Sequence, residues 1–148
     1  MRLRAGVGLA ALVLALPVAG CGQDPIDAYC ADLSSHRKEM ADMLDAGTST
    51  ALLGHRAMLS DLAKKTPPDL QDEWQTFLGA VDGLHEALGH AGVKPSQFVA
   101  GKPPAGLAPA DQRAIIAAAD QLSSDDVVAA AAGIEQEARD VCKINLGL

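Results

Sequence analysis

The most reactive side chains in this sequence are three cysteines, Cys21, Cys30 and Cys142, and their surroundings differ. Cys21 follows Val18-Ala19-Gly20 at the end of an uncharged apolar run, Ala5 to Leu16, which opens behind Arg2 and Arg4 and is broken by Pro17. A basic start, an apolar stretch and small residues before a cut make the pattern of a secretory leader. The apolar stretch falls well short of the ~20 residues needed to span a bilayer, so residues 1–20 are expected to be removed rather than to anchor the chain. A second set of donors, His36, Met40, Met43, His55 and Met58, combines imidazoles and thioethers of the kind that hold copper(I) outside the cytoplasm. Against that stands the ordinary use of methionine as a gap filler in helical cores, with the histidines at the rim.

Val18-Ala19-Gly20-Cys21 resembles the bacterial lipobox, a site that, unlike ordinary leader cleavage sites, requires cysteine. The resemblance implies a thioether-linked diacylglycerol on Cys21, cleavage just before it, and an address on the outer face of a cell membrane. Two acyl chains, at about 0.8 kcal/mol per buried CH₂, hold a protein on a membrane where one chain would leave it exchanging. If Cys21 carries lipid, the odd cysteine count is resolved. Cys30 and Cys142 remain, and an oxidising compartment favours pairing them.

The other chemistry-bearing residues carry less. His85-Glu86-Ala87-Leu88-Gly89-His90 is one residue longer than the zinc-protease H-E-x-x-H. Histidines five apart point about 140° away from each other on a helix and cannot share a metal. Asp120, Asp125 and Asp126 lack the alternating aspartates and glycine of a calcium loop. Trp74, the single tryptophan, falls on an apolar helical stripe and reads as a core anchor. With no nucleophile elbow, phosphate loop or paired Cys-x-x-Cys in the chain, neither an enzyme nor a cofactor is expected. Loss of Arg2 and Arg4 with the leader takes the net charge from −7 to −9. A domain so acidic has no footprint for nucleic acid and is repelled by anionic head groups, so its membrane contact is expected to run through the lipid on Cys21.

Helices must position these residues. Asp24-Pro25 reads as an N-cap with proline at the first helical position, and a stripe from Ile26 through Leu44 predicts one helix over about 25–46, stopped by Gly47. Thr48, Ser49 and Thr50 cap a shorter helix that closes at Lys64-Lys65. The third stripe, from Leu70 to Ala91, has Asp69, Asp72 and Glu73 at its positive end. Residues 93–108, rich in proline and glycine, form an irregular connection with Phe98 as its apolar foothold. Ala108-Pro109 restarts a helix to Leu122, and Ser123-Ser124-Asp125-Asp126 caps the last one, to Cys142. No segment alternates with period two.

The expectation is an all-α domain over residues 24–148, a four- or five-helix bundle, joined by a tether of residues 21–23 to the lipid. A Cys30–Cys142 disulfide makes the first and last helices antiparallel neighbours, because bridged Cα atoms lie within about 7 Å. Five helices in simple up-and-down order put those two cysteines at opposite poles. Either the 93–108 connection runs back along the bundle, the arrangement favoured by the strong cap at Ser123-Ser124, or the last two helices are one rod bent there.

From Cys21 onward, the paired cysteines enclosing short helices, with Asp72-Glu73-Trp74 opening the long one, resemble the small helical lipoproteins of unknown function common in actinobacteria. That resemblance implies a cell-envelope setting and brings no activity. The expected function is a non-enzymatic interaction or accessory module whose bundle surface or 93–108 loop meets an envelope protein partner. The alternative is a small-molecule or copper-binding bundle.

Overall fold

The computed structural model describes residues 24–99 and 101–146. Among them the chain is all-helical, with α1 (Pro25–Ser35), α2 (Arg37–Ala46), α3 (Ser49–Gly54), α4 (Arg56–Ala63), α5 (Gln71–His90), α6 (Pro109–Leu122) and α7 (Asp125–Asp140), and 3₁₀ turns at Pro68–Leu70 and Pro95–Gln97. No helix among the described residues is long and apolar enough to cross a membrane.

The caps lie where side-chain chemistry puts them. Asp24 accepts from the Ile26 amide at 2.9 Å, Thr48 Oγ1 from Ala51 at 3.1 Å, and Ser124 Oγ from Val127 at 3.5 Å. Each satisfies one of the donors that a helix start leaves open. Pro25 and Pro109 open α1 and α6 at positions that need no N–H.

Two predicted helices are each divided. The stripe over 25–46 is carried by α1 and α2, which meet at His36 (φ −96°, ψ 3°), and the stripe that follows is carried by α3 and α4, which meet at His55 (φ −98°, ψ 8°). At the first break Ser35 Oγ donates back to the Asp32 carbonyl at 2.7 Å, a bond that competes with the helical ladder and bends helices. At the second, Gly54 precedes the junction and lowers the local helical preference. Each break takes one residue and the ladder resumes at once, with Met40 donating to His36 and Leu59 to His55.

α5 is the central element and packs on α3, α4, α6 and α7, whereas α6 and α7 touch each other little. Its Trp74, 2% exposed, meets Phe77 edge-on with ring centroids 6.3 Å apart. The indole Nε1 donates to the hydroxyl of fully buried Tyr29 at 3.0 Å, tying α5 to α1. Burial pushes the Tyr29 phenol up to about 12, so it stays neutral. Tyr29→Phe is expected to cost about 1–3 kcal/mol, because it leaves the indole N–H buried without an acceptor. Urea unfolding checks this, and an unchanged midpoint would refute it.

Cys30 of α1 is bonded to Cys142, just beyond α7, with Cα atoms 5.1 Å apart across 112 residues. The disulfide joins the first and last helices. Past it the chain turns back, with Ile144 donating to the Ala138 carbonyl and Leu146 buried.

Candidate functional site

Of the sequence-predicted site residues, Cys30 and Cys142 are bonded to each other, while the candidate donors on the first four helices divide between core and surface. Cys21 and the leader lie outside the described residues. Met40, Met43 and Met58 are buried in the core, while His36 and His55, about a third exposed, turn to one carboxylate, Glu39. Glu39 Oε1 lies 3.1 Å from His55 Nδ1 and Oε2 lies 3.4 Å from His36 Nδ1. These bonds, His55's first, hold the Glu39 carboxyl below the usual carboxylate range. The thioethers are thus buried in the core, while the two imidazoles are partly exposed and bonded to Glu39. Asp125 and Asp126 sit in the first turn of α7 and Asp120 near the end of α6. Among the described residues no group of three or more histidines, cysteines or carboxylates is arranged to hold a metal ion.

The bundle interior is tightly filled. The enclosed apolar void bounded by Met40, Met43, Leu59, Trp74, Phe77, Ala131 and Ile134 measures about 10 Å³. That is the space of about one water probe, in surroundings with nothing to bond a water.

One concave surface joins two segments that sequence reasoning reached only by halves. The Gly47-Thr48 turn with Ser49 and Thr50 at the start of α3, and the loop residues Phe98, Val99 and Gly101, face each other across a groove of about 240 Å³. Gly47 allows the sharp exit from α2, with φ at +56°. Between the two walls, Thr50 Oγ1 donates to the Phe98 carbonyl at 3.0 Å and lies 3.4 Å from that of Pro95. Phe98, 1% exposed, is driven into the core as the foothold the sequence predicts. The loop therefore packs onto the bundle through a side chain and a hydroxyl bond.

Next to Phe98, Val99 stands 66% exposed, the most exposed large apolar side chain among the described residues. Val99 and Lys102 form an isolated antiparallel bridge around a turn in which Gly101 has φ +72°. The groove thus offers hydroxyls, main-chain edges and an aliphatic side chain. None of its lining residues titrates, so it is equipped to bind and holds no acid, base or nucleophile pair. No local sequence pattern links Thr50 to Phe98, 48 residues away, which is why only the loop half was legible.

Comparison with known protein families, with curated proteins and with solved structures finds no match to this chain.

Proposed function

We propose that this chain is a membrane-anchored extracytoplasmic lipoprotein, held by lipid on Cys21, whose domain is a non-enzymatic interaction module of the cell envelope that contacts a protein partner through the groove between Gly47–Thr50 and the loop residues Phe98, Val99 and Gly101. The observation that carries the interaction reading is the groove itself, a braced loop presenting exposed Val99 over hydroxyls and main-chain groups. The lipobox-like Val18-Ala19-Gly20-Cys21 supports the anchor. The small interior void weighs against the alternative of a ligand or copper ion inside the bundle.

In this reading the seven helices act as four rods, α1–α2, α3–α4, α5 and α6–α7, three of them bent at His36, His55 and Ser123-Ser124. The weak contact between α6 and α7, each leaning on α5 instead, supports the bent last rod over a crossover. Four rods in up-and-down order make the first and last antiparallel and bring Cys30 to Cys142. The groove then lies at the other end of the first rod, the 17 residues from Cys30 to Gly47 spanning about 25 Å of helix. Gly22 and Gln23 reach at most about 7 Å, which keeps the disulfide end against the head groups and turns the groove outward.

A photo-crosslinking side chain at Val99, introduced into the full chain in its native membrane, is expected to give one discrete adduct that is lost when Thr50→Ala releases the loop. The same probe at Val128, also exposed but on α7, is expected to give none. Equal labelling from both positions, or no adduct from Val99, would remove the groove as the contact surface.

A further inference from the structure

The acidic residues of this chain avoid one part of it. Between residues 24 and 148 the two longest stretches without aspartate or glutamate are 46–60 and 87–110. Each supplies one wall of the groove, Gly47 to Thr50 from the first and Phe98, Val99 and Gly101 from the second.

The second stretch carries Lys94 and Lys102, both exposed. Their main chain is fixed on the braced loop. The Lys94 amide donates to Gln97 Oε1 at 2.9 Å, one residue before the Pro95 carbonyl that faces Thr50, and the Lys102 amide donates to the Val99 carbonyl at 3.1 Å. The other lysines are engaged elsewhere. Lys38, Lys64 and Lys65 pair with Asp42, Asp61 and Asp32, and Lys143 donates to the Asp140 carbonyl. Lys94 and Lys102 form no ion pair among the described residues. Arg37 and Arg113, also outside the ion pairs, stand next to acids in sequence, Arg37 between Asp32 and Glu39 and Arg113 just after Asp111. On the elements beside the groove, the exposed acids are Asp45 in the last turn of α2 and Glu86 in the last two turns of α5.

We infer, on the reading that the groove is the contact surface, that the partner segment seated in it is an acidic peptide, with carboxylates placed for Lys94 and Lys102 and an apolar residue covering Val99. Charge decides the choice. Residues 21–148 carry a net charge of −9, and in about 0.1 M salt such charges act over about 10 Å. A basic segment is drawn to the helices that carry the acids and has no reason to select this groove. An acidic segment is repelled from those helices and finds here two cations without local partners, so repulsion elsewhere directs where it docks. Asp45, two residues before Gly47, sets the polarity of the seat, since it places the partner's carboxylates on the loop side.

The photo-crosslinking side chain at Val99, in the full chain in its native membrane, tests this when combined with charge changes. Lys94→Gln with Lys102→Gln is expected to lower the adduct yield about two- to tenfold, the range of two exposed ion pairs. Lys94→Arg with Lys102→Arg keeps both charges and is expected to keep the yield. Fragmentation of the parent adduct is expected to place the cross-link in a peptide with more acids than bases. A Gln pair that cross-links as well as the parent, an Arg pair that fails as the Gln pair does, or a cross-linked peptide without an excess of acids would each overturn the acidic partner and leave the groove as the contact surface. An adduct made of polysaccharide would overturn the peptide. No adduct from Val99 in the parent would remove the groove reading and the acidic segment with it. Both lysines are exposed, so the variants should retain the fold, which circular dichroism verifies.

Discussion

Replacing Cys21 with serine is expected to abolish membrane retention, leaving either unprocessed precursor or protein released to the medium. The expectation rests on what else could hold the chain. The apolar run of residues 5–16 is too short to span a bilayer, and no described helix is long and apolar enough to do so. Residues 21–148 carry a net charge of −9, which opposes adsorption to anionic lipid. Two acyl chains on one sulfur would then supply all of the binding, and serine accepts no thioether. Membrane fractionation with intact-mass measurement reads the outcome directly. A serine variant that stays on the membrane with the parent's mature mass would show that another anchor exists and that the lipobox reading is wrong.

Loss of the Cys30–Cys142 disulfide is expected to cost about 4–5 kcal/mol, the chain-entropy value for a loop of this length. The separation of 112 residues means that the bond restrains nearly the whole described chain when unfolded. A domain of this size has about 5–15 kcal/mol of stability in all, so the melting temperature should fall by about 10–20 °C. The core offers little to compensate, with one tryptophan, one tyrosine and two phenylalanines in 148 residues. Both cysteines are partly exposed, so reductant should reach the bond in the folded protein. Calorimetry with and without reductant, alongside a Cys30→Ala, Cys142→Ala double variant, checks the magnitude. An unchanged melting temperature, or a thiol that labels in non-reduced protein, would refute it.

Much of the local structure was legible because its causes are local. Asp24-Pro25, Thr48 and Ser124 cap helices through bonds spanning two or three residues, and such bonds are written in short sequence patterns. The α5 stripe, Leu70 to Ala91 by spacing and Gln71–His90 in the structure, was clear because one buried face repeats over many turns. The breaks at His36 and His55 were not legible. A one-residue kink shifts the phase of the stripe too little to interrupt it, so Met40 and Met43 still reach the core beyond the break.

The sequence by itself determined the helical class, the caps, the Phe98 foothold and, by cysteine count once Cys21 is assigned to lipid, the Cys30–Cys142 pair. These follow from residue type, short-range bonding and the period of apolar side chains. Only the tertiary structure decided what meets across the chain: Thr50 against the Phe98 loop, Trp74 on the Tyr29 hydroxyl, and Glu39 shared by two histidines that sequence spacing had grouped with methionines. The reason is geometric. Helical periodicity tells which face a residue occupies, but the partner on a neighbouring helix depends on where the chain bends and how the helices pack, and no local pattern carries that information.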